Sequence, residues 1–163
     1  MNSASLNWLR AGTLGANDGI ISISVLLVSV VGLLSTDRLF IVGLSGIVGA
    51  AFSMALGEYV SVSAQRDAEI AHNIKDKTNP YHAAISSFVS FVAGATIPFV
   101  VSLVSQNPIA IVISVIAALT LTTVISTRFG RSSFKRQLLR NVLGGAIALS
   151  IGIVLNLTFG TAF

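Results

Sequence analysis

The chain has 163 residues, of which 53% are hydrophobic and only 10% charged, against roughly 25% charged residues in an ordinary soluble domain. That balance excludes a water-soluble globular protein and predicts a single all-α integral membrane domain over residues 1–163, with room for five spans at about 20 residues each. Cysteine is absent, which removes disulfides, thiolate metal sites and iron–sulfur clusters, and the net charge of +4 gives no support to nucleic-acid binding.

The first ten residues are polar, with Trp8 and Arg10 where an interfacial anchor is expected. No signal peptide is expected there, because the apolar run that follows is too long, carries an acid and lacks a cleavage pattern. Five apolar segments then follow, at approximately residues 11–34, 39–64, 82–104, 108–127 and 142–159. Each is long enough to cross about 30 Å of hydrocarbon as a helix. The connections at 35–38 and 105–107 are tight turns, so the helices they join are expected to be antiparallel neighbours. Residues 65–81 form a short cytosolic connection and 128–141 a basic one. Pro98 predicts a kink in the third span, its freed carbonyl met by a neighbour or a Ser/Thr hydroxyl. In the last span Gly144, Gly145, Ala148 and Gly152 favour close packing, and Asn156-Leu157-Thr158 is a chance match to a glycosylation sequon inside a span.

With five spans the termini lie on opposite sides of the membrane. An N-terminus in the cytosol puts Arg10, Arg66, Lys75, Lys77, Arg128, Arg131, Lys135, Arg136 and Arg140 on that side and leaves only Arg38 outside. The positive-inside rule therefore predicts N-in and C-out. The run Arg128, Arg131, Lys135, Arg136 and Arg140 is expected at anionic lipid headgroups, with a phosphate ligand as the alternative.

Two stripes carry the chemistry. At 100° per residue, Gly43, Gly46, Ala50, Met54, Gly57, Glu58 and Ser61 share one side of the second span, and bulky Val48, Phe52, Leu56 and Tyr59 share the other. In lipid, small residues permit close helix approach, so Glu58 is expected to face protein. In the first span Gly15, Asp18, Ser22, Val25, Ser29 and Gly32 form a similar stripe. Asp18 and Glu58 each lie roughly 10 Å from the cytosolic end of their spans, at about 1.5 Å per residue. Met54 is one turn deeper than Glu58, so the three residues are expected at nearly one level.

Two carboxylate ligands and a thioether suit Fe²⁺ or Mn²⁺ better than Ca²⁺ or Mg²⁺, and buried carboxylates can also couple protons. Bland readings stand beside this one. Met54 alone reads as a gap-filler, Asp18 and Glu58 as structural partners of Arg10 or Arg66, and the small stripes as packing at Gly15, Gly43, Gly46, Ala50 and Gly57. His72, with Asp67, Glu69, Asp76 and His82, could form a loop metal site but reads better as a solvated connection with an interfacial histidine. No nucleophile–base pair, phosphate loop or cofactor fingerprint is present, so neither an enzyme nor a resident cofactor is expected.

The segments LRAGTLGANDGI at 9–20 and SMALGEYVSVSAQRD at 53–67, with Asn79-Pro80 and Pro98, resemble the vacuolar iron transporter family, in particular its bacterial and nodulin-like branch. The resemblance implies a five-span homodimer whose first two helices line a path at the dimer interface, exporting Fe²⁺ or Mn²⁺ from the cytosol in exchange for protons. By position it implies pathway roles for Asp18 and Met54, and it matches Glu58 to a Gly-Glu-Tyr motif. Two departures stand out: Gly46 where some members carry a carboxylate, and no long acidic insertion between the second and third spans. A membrane scaffold or partner subunit, or a transporter of another cation or a small organic solute, are the rival functions. No organelle address is visible, so a prokaryotic cell membrane is the expected location, ahead of a vacuole.

Overall fold

The computed structural model describes residues 3–74 and 78–162. Its elements are α1 (Ser3–Val30), α2 (Thr36–Ala71), α3 (Pro80–Ser105), α4 (Pro108–Gly130) and α5 (Phe134–Ala162), with no strand among the described residues. Each of the five is long and apolar enough to cross a membrane. Two of them start on the same local chemistry. Asn79 accepts from the amides of Tyr81 and His82 ahead of α3, Asn107 accepts from the amide of Ile109 ahead of α4, and proline follows each cap. The cap satisfies amides that a helix start leaves open, and proline at the first helical position has no N–H to lose. The turn after α1 uses Gly32 at φ +80°, a conformation that disfavours any side chain.

The first helix is the hub. The other four form an arc in which α2 touches α3, α3 touches α4 and α4 touches α5, while α1 fills the centre and touches all of them. Helices α2 and α5 do not meet, so the arc is open on one side of α1. The core runs along the hub from Ile20 through Ile23, Leu27 and Val28 to Val31, packed against Ile47, Phe91, Ala95, Phe99, Val115 and Leu119.

Glycines set the closest contact, between α1 and α3. A Cβ at Gly15 would lie 2.4 Å from the Ser87 carbonyl oxygen and one at Gly19 would lie 2.2 Å from that of Phe91, so no other residue fits at either position without moving backbone. Residue 15 meets 87 and residue 19 meets 91, which makes the two helices parallel, as the first and third spans of an alternating bundle must be. From the other side, a Cβ at Gly94 would lie 2.5 Å from the Ala16 carbonyl oxygen. Small residues four apart giving backbone-to-backbone approach is the usual way helices associate where lipid supplies no hydrophobic drive. Aromatic pairs zip α2 to α3: Phe40 with Phe99, Phe52 with Phe88 and Tyr59 with Tyr81, at centroid separations of 5.7, 5.1 and 5.2 Å. A rising number on one helix meets a falling number on the other, so this pair is antiparallel.

Several expectations change at the helix ends. The polar start is already helix from Ser3, and residues 65–71 continue α2 rather than opening the connection. The buried Glu69 accepts from the Thr78 amide at 2.7 Å, the Thr78 hydroxyl at 3.0 Å and Gln65 at 2.9 Å, clamping the connection shut. Helix α3 runs through Pro98; Thr96 and Ser102 donate to the carbonyls of Val92 and Phe99, and no side-chain donor reaches the freed carbonyl of Gly94 among the described residues. Asn156 has a structural task, donating to the carbonyls of Ser29 and Val31 and so tying α5 to the end of α1.

Candidate functional site

The segment from Gly15 to Gly19 fixes the directions of the residues between its glycines. With both glycines pressed on α3, Asn17 turns toward α4 and α5, where its amide donates to Asn141 at 3.3 Å and Asn141 in turn donates to Thr123. Asp18 turns the other way and is exposed, beside α2. A cleft of about 310 Å³ lies there, lined by Asp18, Ala50, Ser53, Met54, Gly57 and Glu58. The structure thus brings the three ligand-type residues of the two stripes to one cleft.

Their environments differ. Glu58 is 6% exposed and its two oxygens are held by the Arg10 guanidinium at 2.8 and 3.3 Å, while Arg10 also donates to Asn7. Arg66, the other partner considered, makes no such pair. The Asp18 carboxylate has no hydrogen-bond or ion-pair partner among the described residues; only its backbone carbonyl is engaged, by Ser22. Met54 is half-buried and packs against the core. The expected common level is replaced by a stagger. Arg10 marks the level of Glu58, and Asp18 lies eight residues further along α1, about 12 Å of helix rise, with Met54 a turn deeper than Glu58. Among the described residues no three His, Cys, Asp or Glu side chains converge as a metal cage.

The packing glycines divide into two sets. Gly15, Gly43 and Gly46 meet Ser87, Phe99 and Leu26, as close packing requires, whereas a Cβ at Gly57 would meet nothing within 4 Å. Gly57 therefore contributes openness to the cleft, not contact, and a Cβ at Gly49 would likewise meet nothing within 4 Å. Arg128, Arg131, Lys135, Arg136 and Arg140 are all exposed at the end of the bundle that also carries Arg10. In the connection, Asp67, His72 and His82 are exposed, His72 bonds back to the Ala68 carbonyl, and Glu69 is committed to Thr78. Lys75, Asp76 and Lys77 lie outside the described residues, and with them the Asp76 member of the possible loop metal site and two of the counted basic residues. The polar chain Asn17–Asn141–Thr123 was not foreseen; Asn141 falls in the basic connection expected at 128–141, and only the extension of α5 back to Phe134 brings it beside Asn17.

A family model described as the VIT family matches residues 9–77 and 68–156. The chain is 35% identical to a rice (Oryza sativa subsp. japonica) protein named vacuolar iron transporter homolog 5, over 91% of this chain and 79% of that one. It is 34% identical to vacuolar iron transporter homolog 2.1 of Arabidopsis thaliana over 95% and 83%, and 30% identical to VIT-like transporter 1b of Glycine max over 95% and 77%. No solved structure matches it.

Proposed function

The chain belongs to the VIT family, and from that premise we propose that it exports a divalent transition metal, Fe²⁺ or Mn²⁺, from the cytosol by proton antiport. The path runs along the cleft between α1 and α2. The observation that carries this reading is the meeting of Asp18, Met54 and Glu58 on one open face of the bundle. The proposed path is completed by a second copy of the chain, which would cover the opening of the arc and the bare face at Gly57. Each ion is substrate, not a resident group, and the proposed host is a prokaryotic cell membrane.

The chain's own residues suggest a division of labour. Asp18, whose carboxylate has no partner among the described residues, is available to take a cation or a proton. Glu58 is neutralised by Arg10, so a cation reaches it only by competing with the guanidinium or by taking over as the arginine withdraws. A thioether between two hard oxygen donors favours softer divalent ions over Ca²⁺ and Mg²⁺. The Arg10–Glu58 pair also favours the one rival worth keeping, in which Glu58 only holds α1 to α2.

The test is Fe²⁺ and Mn²⁺ flux in proteoliposomes, with and without an imposed pH gradient, for the parent and for folded Asp18→Asn, Met54→Ala and Glu58→Gln. Gradient-stimulated flux that falls at least tenfold in Asp18→Asn supports the antiporter. Absence of flux from correctly folded parent, in either orientation, would sink it.

A further inference from the structure

A second polar cavity, of about 540 Å³, opens on the opposite side of α1, between the starts of α1 and α5 and the end of α4. Arg10, Arg140, Asn17, Asn141 and Gln137 line it. Arg10 is largely satisfied by Glu58 and Asn7, but the exposed guanidinium of Arg140 has no hydrogen-bond or ion-pair partner among the described residues. The amide groups already have their own bonds: Asn17 to Asn141, Asn141 to Thr123, Gln137 to Ser126. Arg140 thus offers its guanidinium to the cavity, and the first turn of α5, the positive end of that helix dipole, adds to the same field.

Across the α1–α4 seam this cavity adjoins a groove of about 350 Å³ between α1, α3 and α4, with Leu9, Thr13 and Ser126 as the wall common to both. The groove is almost wholly apolar and runs from Trp8, an aromatic at the expected headgroup level, along Ala93, Gly94 and Leu121 toward Ile20 and Ala118 in the middle of the bundle. A basic, amide-lined head site beside an apolar slot at membrane depth, both reached from the Trp8 end, matches an amphiphile whose chain crosses the rim of the seam and does not match a free anion, which would have no use for the slot.

The geometry points to a specific site for one anionic phospholipid, its phosphate on Arg140 with Arg10 behind it and an acyl chain in the α1–α3–α4 groove. This differs from general attraction of the basic end to a charged membrane surface, because it assigns one of five basic residues and a defined slot. It also stands independently of the transport reading. Lipid charge would sit beside the Arg10–Glu58 pair and compete with Glu58 for the guanidinium.

The test uses delipidated protein in neutral detergent, titrated with palmitoyl-oleoyl phosphatidylglycerol and followed by native mass spectrometry. Phosphatidylcholine and inorganic phosphate serve as comparison ligands. One phosphatidylglycerol per chain is expected, tighter than phosphatidylcholine, with no displacement by millimolar inorganic phosphate. Arg140→Gln should weaken binding about tenfold, the usual contribution of a charge-assisted hydrogen bond. Lys135→Gln, which removes the same charge from the same end but outside the cavity, should leave it unchanged. Ala93→Phe and, on the opposite wall, Leu121→Trp should each block the groove and weaken lipid binding without unfolding the chain by gel filtration. Equal loss in Lys135→Gln would reduce the site to surface charge, full binding in both groove variants would remove the acyl-chain contact, and displacement by inorganic phosphate would make it a free-anion site. Any of these results overturns the proposal.

Discussion

The pair of Arg10 and Glu58 offers the sharpest test of how α1 and α2 are held, because its two partners are buried unequally. Glu58 is 6% exposed at its side chain and Arg10 is 50% exposed. Removing one partner of a fully buried pair costs about 3–5 kcal/mol, chiefly the penalty of stranding the other charge. Arg10→Gln strands the buried carboxylate, but water already reaches half of the guanidinium's place, so about 2 kcal/mol is the reasoned loss. Glu58→Gln strands a cation that can hydrate, and the amide oxygen still accepts, so the loss should be nearer 1 kcal/mol. In the double variant no stranded charge remains, and it should be as stable as Glu58→Gln alone and more stable than Arg10→Gln. At about 2–4 °C per kcal/mol for a chain of this size, the three variants should fall by roughly 6, 3 and 3 °C in thermal unfolding in detergent. Losses that simply add in the double variant would refute the pairing as the source of stability, as would an Arg10→Gln protein that melts with the parent.

Two further perturbations test the elements that frame the site. In Gly19→Ala a methyl group would arrive 2.2 Å from the Phe91 carbonyl oxygen, where only backbone can yield, so a loss of about 1–3 kcal/mol is expected; Gly144→Ala, with nothing within 4 Å, should be neutral or slightly stabilising. Equal effects at the two glycines in thermal unfolding would remove close α1–α3 contact as the explanation. Thr78→Val removes one donor from Glu69 and Glu69→Leu removes the acceptor altogether. Hydrogen exchange at the amide of residue 78 should accelerate severalfold in reconstituted protein, more for Glu69→Leu than for Thr78→Val, and unchanged exchange would show that Glu69 does not hold Thr78.

The five helices were legible because the physics that writes them is local: an apolar run of sufficient length, punctuated by Asn-Pro or a basic cluster, has few alternatives in a bilayer. Helix ends were less legible. A polar residue such as Asp67 or Arg66 signals exit from hydrocarbon, not the end of the helix, so α2 continues two turns past its apolar stretch and the connection shrinks to the residues that Glu69 clamps. Glycine stripes marked small-residue faces, but not which partner each would meet. Gly43, Gly46 and Gly57 share a helix side, yet only the first two are covered, and nothing in a one-helix pattern says where the neighbouring helix stops.

The same gap explains the site. Helical periodicity on each span could nominate Asp18, Met54 and Glu58, since each is a costly or unusual residue within an apolar run, but it could not supply the register between spans. That register is set by long-range contacts: Gly15 and Gly19 against α3 aim Asp18 outward, and Arg10 against Glu58 fixes how far α1 and α2 slide. Once both are in place the carboxylates cannot share one plane, and the cleft becomes a staggered track with a paired acid at its mouth and an unpaired one deeper in. A track of this kind has a direction built into it. On the proposed path, an ion entering from the basic end would meet Glu58 first, then Met54 and then Asp18, and at Glu58 it would compete with the Arg10 guanidinium for the carboxylate, a contest in which a divalent ion's attraction to the acid is about twice that of a monovalent one. On this argument Arg10→Gln should cost stability yet relax discrimination against monovalent cations in the flux assay, whereas a purely structural arginine would change the first without the second.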